Sequence, residues 1–448
     1  MQTPIADFVR AYSQSGTARL HMPGHKGRGP LGCEALDITE VAGADELYHP
    51  EGIIARSEAN AAALFGTAAT FYATEGSSQC IRAMLYLALL HRQGAGRPVI
   101  LAGRNAHQSF VLAAALLDLD IAWLWPEETP FSLCRCPVSA AGLEASLAAL
   151  PAPPAAVYVT SPDYLGNVLP IGALAETAHR HGVPLLVDNA HGAYLRFLAP
   201  GAHPMEQGAD LCCDSAHKTL PVLTGGAYLH IAQNAPADFV ENAKRSLMMF
   251  GSTSPSYLTL QSLDLANRRL AEDYPSLLRQ SAAALDALRE KLRACGWQVA
   301  PSDPLKLTLA AAESGWEGGE AAERLRRGGV ECEYADPDFD VLMATPENTA
   351  EDFSRVAAAL GVNPRRAPLS RPALTLAPPE TVCTPRQAAF ATSETVPAPA
   401  AAGRVLAAPT VGCPPAVPVV VGGERISADA LALFARYGIA SVRVIRDT

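Results

Sequence analysis

Lysine is nearly missing from this chain. Only Lys26, Lys218, Lys244, Lys291 and Lys306 occur, against thirty arginines among the 35 basic residues. Positive charge is short overall, and the formal net charge of −10 argues against a nucleic acid or an anionic membrane as partner. No uninterrupted apolar run reaches membrane-spanning length. The opening residues Met1-Gln2-Thr3-Pro4-Ile5-Ala6-Asp7 have neither the basic start nor the apolar stretch of a secretion signal. None of the ten cysteines forms a CxxC pair, Cys212 and Cys213 are adjacent, and Cys134 and Cys136 stand too close for a usual zinc spacing. A soluble cytoplasmic protein with reduced thiols and no metal is expected. No internal repeat is present.

What remains is an ordinary globular composition, 49% hydrophobic and 18% charged, over 448 residues, too long for one core. Residues 3–14 can form a short amphipathic helix, and a Gly/Pro/His-rich arm follows at His21-Met22-Pro23-Gly24-His25-Lys26-Gly27-Arg28-Gly29. From about residue 51 the pattern alternates helix and strand, as in an α/β sheet. Helices are expected at Ile54–Phe65, Gln79–Arg92, Ser109–Leu117 and Ile171–His181. Strands are expected at Ala69–Tyr72, Pro98–Ala102, Ala155–Thr160, Pro184–Val187, Leu211–Cys213 and Val222–His230. A long helical region spans 256–295, with Leu278, Leu285, Leu288 and Leu292 on one face and Gly296 after the last turn. A smaller α/β unit follows over 297–360, with strands at Leu305–Ala310 and Val341–Ala344. A proline-rich linker (Pro364, Pro368, Pro372, Pro378, Pro379) leads to a C-terminal unit.

The scarcity of lysine gives weight to Ser215-Ala216-His217-Lys218-Thr219. Arginine cannot supply a deprotonatable amine, so a lysine kept among arginines suggests chemistry. Upstream, Leu185-Leu186-Val187-Asp188-Asn189-Ala190-His191 is an apolar strand ending in an acid. A lysine that can condense with an aldehyde, and an acid that keeps a pyridine nitrogen protonated, are what pyridoxal phosphate (PLP) needs. Alone, Lys218 would pass for a surface residue and Asp188 for a strand-end turn former. Together they suggest a site at the carboxyl ends of strands. Gly76-Ser77-Ser78 opens a helix and offers a phosphate cup, an ordinary N-cap being compatible with it. Ser215 and His217 could complete the cup. His107 follows a strand and could stack on a ring or simply cap a helix. Ser252-Thr253-Ser254-Pro255-Ser256 opens the long helix, as a capping box or as further phosphate contacts.

These pieces resemble the Orn/Lys/Arg decarboxylase family of fold-type I PLP enzymes. They are His21-Met22-Pro23-Gly24-His25-Lys26, Gly76-Ser77-Ser78, Arg104-Asn105-Ala106-His107, Asp188-Asn189-Ala190-His191-Gly192, Ser215-Ala216-His217-Lys218 and Ser252-Thr253-Ser254-Pro255-Ser256-Tyr257. Pro414-Pro415-Ala416-Val417-Pro418 and Gly422-Gly423-Glu424 resemble the family's C-terminal PPGIP…PGE segment. The likeness is to the short form without a receiver-like domain, as in biosynthetic arginine decarboxylases.

The resemblance implies a PLP-binding large domain at 41–265 with a mostly parallel central sheet. It also implies an N-terminal helix and arm at 1–40, a small α/β domain at 266–365 and a family C-terminal domain at 366–448. It implies that Lys218 carries the cofactor, Asp188 pairs with the pyridinium, His107 stacks on the ring and His191 lies beside it. Ser77, Ser78, Ser215 and His217 would hold the phosphate, with Ser252 and Thr253 reaching it across a homodimer interface. The implied activity is α-decarboxylation of a basic L-amino acid, arginine before lysine or ornithine, in polyamine biosynthesis. An aminotransferase or lyase on the same scaffold, or a non-catalytic regulatory relative, are the other readings. The chain departs from the family pattern at Asp163-Tyr164-Leu165-Gly166, at Cys413 and at Gly422. His217 and Lys218 both stand as proton donors to Cα, and Asp163, Asp45 and Glu46 as partners for the substrate's distal cation.

Overall fold

The computed structural model describes residues 1–92, 96–127, 133–372, 377–411 and 418–446. Seven strands form its main sheet: β1 (Ala69–Ala73), β2 (Val99–Gly103), β3 (Asp120–Leu124), β4 (Ala156–Thr160), β5 (Leu185–Asp188), β6 (Leu211–Asp214) and β7 (Ala227–Ile231). Their order is β1-β7-β6-β5-β4-β2-β3. Strands β5 and β6 pair in parallel, as do β2 and β3, whereas β7 runs antiparallel to both β6 and β1. This is the α/β sheet that the sequence pattern predicts, mostly parallel as the family resemblance implies. All four residues of β5 and of β6 are buried, as expected of strands covered on both faces.

The helices, in order, are α1 (Pro4–Gln14), α2 (Ile53–Phe65), α3 (Gly76–His91), α4 (Gln108–Leu117), α5 (Ala140–Ala149), α6 (Ile171–Arg180), α7 (Leu195–Leu198), α8 (Ala216–Thr219), α9 (Ala237–Met248), α10 (Tyr257–Glu272) and α11 (Tyr274–Ala294). No helix among the described residues is long and apolar enough to cross a membrane. The nine described cysteines form no disulfide.

The chain divides into two compact units. The first comprises Met1–Ala95, Ala155–Tyr158 and Ile171–Pro275. In it, α3 buries Cys80, Ile81, Ala83, Met84, Leu85, Leu87 and Ala88. The N-terminal helix α1 docks through Asp264 of α10, whose Oδ2 accepts from Ile5 N and Ala6 N, both at 2.9 Å. Two N–H groups that a helix start leaves without partners are satisfied in this way.

The second unit comprises Gly96–Pro154, Val159–Pro170 and Ser276–Thr448. Its own antiparallel sheet runs β10-β11-β9-β8, from β8 (Val299–Ala300), β9 (Lys306–Ala310), β10 (Tyr334–Ala335) and β11 (Phe339–Met343). Leu285, Leu288 and Leu292 of α11 pack in one core with Leu307, Leu309 and Leu342, as the heptad-like spacing predicts. Helices α12 (Gly318–Arg327) and α13 (Ala350–Leu360) add Leu325 and Leu360 to that core.

Three sequence expectations change. The helical region 256–295 is two helices, because Pro275 has no N–H to donate and its ring crowds the preceding turn, so α10 stops at Glu272. The opening of α10 is not a capping box: Ser256 is the N-cap, accepting from Thr259 N at 3.3 Å, and Pro255 lies outside the helix. The strand expected over Val222–His230 starts only at Ala227. Gly225 holds φ +93°, and a side chain there would meet Thr74 O at 2.6 Å, so a turn occupies the first half. Part of the C-terminal family-like segment, residues 412–417, lies outside the described residues.

Candidate active site

In the first unit, Asp188 ends β5 and Ser215 follows the end of β6, so two neighbouring strands deliver their C-termini to one place. After β5, a tight turn with Gly192 N donating to Asn189 O at 2.8 Å brings His191 round. After β6, one helical turn, α8, carries His217 and Lys218. Lys218 N donates to Ser215 O at 3.0 Å, and Tyr274 OH fixes the end of the turn by donating to Thr219 O at 2.9 Å. The two excursions meet: Lys218 Nζ lies 3.1 Å from His191 Nε2. The lysine is partly buried, and His191 is 6% exposed.

Asp188 is 2% exposed and is held from three sides. Its Oδ2 accepts from Tyr158 OH at 3.0 Å, and its Oδ1 accepts from Ala190 N at 3.2 Å and from the Cys213 thiol at 3.6 Å. Burial pushes the Cys213 thiol well above its ordinary pKa, so it stays a donor. Tyr158 was not singled out in the sequence. Its only signal was a tyrosine at the centre of an otherwise apolar strand, and its role depends on β4 lying next to β5.

His217 is half-buried. Its Nδ1 donates to Gly226 O at 3.2 Å, with Ser215 Oγ at 3.4 Å. Burial, with the neighbouring Lys218 cation adding to it, lowers its pKa, so it is neutral at neutral pH. The same Gly225-Gly226 turn accepts from Gly76 N at 2.7 Å through Gly225 O. One turn therefore ties the start of α3 to α8, and with it Ser77 and Ser78 to Ser215 and His217. The N-cap position of α3 is Glu75, whose side chain makes no capping bond, so the ordinary N-cap role for Ser77 or Ser78 is not what is found. An uncapped helix start of this length concentrates N–H donors and the positive end of the helix dipole.

Ser252 and Thr253 are exposed, and Ser252 N donates to the side chain of Glu75. His107, in the second unit, is the N-cap of α4, with its Nδ1 accepting from Ser109 N at 3.2 Å. Asp45 accepts from Glu51 N, Gly52 N and Ile54 N at the start of α2, and Glu46 pairs with His49 on the surface. Asp163 accepts from Asn167 N and Nδ2 in a buried loop. All three acids are engaged in holding local structure.

Chemically, the first unit presents an amine against an imidazole, a buried carboxyl on the adjacent strand end, and a helix start without a side-chain cap tied to the same turn. A profile of the Orn/Lys/Arg decarboxylase major domain matches residues 3–324. The chain is 28% identical to the arginine decarboxylase of Bacillus subtilis (strain 168), over 95% of this chain and 91% of that protein. It is also 28% identical to the arginine decarboxylase of Halalkalibacterium halodurans, over 96% and 92%. In structure it is similar to the constitutive lysine decarboxylase of E. coli, with TM-score 0.79 and 18% identity, over 99% of this chain and 82% of that one. Serine palmitoyltransferase of Sphingomonas wittichii is a more distant likeness in fold, with TM-score 0.56 and 16% identity over 80% of this chain and 82% of that one.

Proposed function

The chain belongs to the Orn/Lys/Arg decarboxylase family and is an amino-acid decarboxylase; from that premise we propose that it removes the α-carboxyl group of a basic L-amino acid, arginine first, using pyridoxal phosphate. Arginine leads because two of the near-full-length relatives, from Bacillus subtilis and Halalkalibacterium halodurans, are arginine decarboxylases. Lysine and ornithine follow. The observation that carries the reading is Lys218 Nζ at 3.1 Å from His191, beside the strand end that bears Asp188.

The residues fit the cofactor. Lys218 supplies the amine that would hold its aldehyde carbon. Asp188, oriented by Tyr158 and Ala190 N, would accept the ring nitrogen's proton in a hydrogen bond. The start of α3, with Ser77, Ser78, Ser215 and His217, would hold the phosphate, and Ser252 and Thr253 would approach it from a partner subunit in a homodimer. His191 would lie beside the ring, and His107 would stack on it. Bound pyridoxal phosphate supplies an electrophilic carbon for the substrate amine and a ring that takes up the electron pair left as CO₂ departs.

The reaction consumes one proton: amino acid plus H⁺ gives amine plus CO₂. The proton goes to Cα. A half-buried, neutral His217 whose Nδ1–H is committed to Gly226 O is poorly placed as an acid, so Lys218, once released, is the better donor. We read the enzyme as cytoplasmic and as serving polyamine synthesis.

Purified protein with added cofactor, given arginine, lysine and ornithine together, should release CO₂ and one amine, agmatine before cadaverine or putrescine. Release of no CO₂ from any of the three overturns the substrate class. A keto acid in place of an amine reassigns the reaction to transamination.

A further inference from the structure

Behind the proposed site, one line of side chains crosses four adjacent strands. Thr70 of β1 is the register partner of His230 of β7, and Thr70 Oγ1 lies 2.8 Å from His230 Nδ1. His230 Nε2 is 3.1 Å from Asp214 Oδ2, at the end of β6. Asp214 Oδ1 accepts from Asn189 Nδ2 at 2.7 Å, just past the end of β5. His203 joins from the side, its Nε2 at 3.0 Å from Asp214 Oδ2. Thr67 extends the far end, with Oγ1 at 2.8 Å from Thr70 Oγ1. His203, Asp214, His230 and Asn189 are 0% exposed. The ring of Phe65 packs on both imidazoles, with centroids at 5.5 Å from His203 and 4.3 Å from His230.

Two imidazoles and a carboxylate this close could hold a metal ion. The proton positions argue otherwise. His203 Nδ1 accepts from Met205 N at 3.3 Å, so its proton sits on Nε2, the nitrogen that faces Asp214. A metal ligand would need that nitrogen bare. The cluster is therefore a carboxylate receiving N–H donors. Burial pushes the Asp214 carboxyl up, but the two imidazoles and their hydrogen bonds outweigh it and hold the group well below the usual carboxylate range. Burial also keeps His230 neutral. A buried anion is costly unless its lone pairs have partners, and here the donors converge on one side chain.

The position of this anion gives it a use. The β5–β6 ladder ends at Asp188 and Cys213, and Asn189 N makes the last main-chain bond, to Cys213 O at 3.0 Å. One residue further, Asp188's neighbour Asn189 and Ser215's neighbour Asp214 hold the two chains together through side chains alone. We propose that Asp214, with His203, His230 and Asn189, is a positioning clamp that fixes the end of β5 against the end of β6, and so sets Asp188 relative to the turn that carries Lys218. The clamp rests on the proposed cofactor site for its purpose but not for its existence. In this proposal the four residues act through Asp188 and the turn that bears Lys218.

The test uses the purified protein with cofactor. In wild type, proton NMR should show protected imidazole N–H signals from pH 6 to 9, assigned by their loss in His203→Gln and His230→Gln. Asp214→Asn should shift or remove both. The same variant should lower kcat at least tenfold with KM within twofold, and should move the pH dependence of the bound cofactor's visible absorbance. A merely structural role would lower the melting temperature and leave that absorbance titration in place. Asn189→Ala removes only the link from Asp214 to β5 and carries the test should Asp214→Asn fail to fold. Wild-type kcat and an unmoved absorbance titration in a folded Asp214→Asn or Asn189→Ala protein would overturn the clamp. So would a stoichiometric metal ion lost on chelation together with the imidazole signals. Wild-type protein that takes up no pyridoxal phosphate would sink the cofactor reading instead, and the imidazole signals would still decide the clamp.

Discussion

The hydroxyl of Tyr158 donates to Asp188 Oδ2 at 3.0 Å, from one strand of the main sheet to the end of the next, with both groups buried. A hydrogen bond to a charged group out of water is worth about 1.5–3 kcal/mol. Tyr158→Phe keeps the ring and removes only the donor, leaving Asp188 with Ala190 N and the Cys213 thiol. If Asp188 serves the cofactor ring, this variant should lose roughly tenfold to a hundredfold in kcat with little change in KM. Steady-state kinetics on the folded variant check it, and an unchanged kcat would separate Tyr158 from the chemistry.

If Lys218 carries the cofactor as proposed, turnover depends on its amine. Borohydride treatment of the cofactor-loaded protein should fix a cofactor adduct on the peptide bearing Lys218, visible by mass spectrometry. Lys218→Ala should show no adduct and no amine product. Asp188→Ala should retain some cofactor and lose most of the rate. Turnover surviving in Lys218→Ala would remove the assignment.

In the second unit, Arg104 is 0% exposed and pairs in bidentate fashion with Glu424, at 2.7 and 2.8 Å. Its guanidinium carbon lies 4.7 Å from the ring centre of Trp123 and 4.6 Å from that of Trp125. Removing one member of such a pair strands the other charge in the interior, at a cost of about 3–5 kcal/mol. Glu424→Ala should therefore lower the thermal midpoint strongly and expose the C-terminal segment to limited proteolysis, with Glu424→Gln between it and wild type. A wild-type melting curve for Glu424→Ala would show that the pair contributes little.

Asp340 gives the stability of the second unit a pH dependence. It is 0% exposed, and neither carboxyl oxygen has a hydrogen-bond partner. Burial, then the neighbouring Asp336, pushes its pKa from 3.8 up to about 8. Below the lower value, folded and unfolded chains both keep the proton and no contribution arises. Between the two values the unfolded chain gives up a proton that the folded chain keeps, so stability falls as pH rises through that window and levels off above it. Asp340→Asn has nothing to ionise. Its melting temperature should gain on wild type between pH 5 and pH 8, and a constant difference across that range would refute the assignment.

The arrangement around Lys218 was legible from the chain because its parts are local. An apolar run ending in Asp188, and a small turn carrying His217 and Lys218, each lie within a few residues, and strand ends in such sheets face one crevice. Short elements with little periodicity were harder to read. Strand β3 has the apolar run Ile121–Trp125 but begins only two residues after the apolar helix α4 and is not read as a separate strand, and α9 is rich in charged and polar residues. The break at Tyr274-Pro275 was readable in principle, but the leucine spacing of α11 joined the two helices into one.

The sequence by itself determined the alternating α/β pattern, the aspartate that ends one central strand and the lysine in the turn after its neighbour, and the absence of a long apolar span. Those follow from residue type and near-neighbour spacing. Only the tertiary structure decided that Tyr158 serves Asp188, that Glu424 answers Arg104 across more than three hundred residues, and that Thr70, His230, Asp214 and Asn189 line up across four strands. Those partners are set by strand order and register, which bring together side chains whose separation along the chain carries no signal.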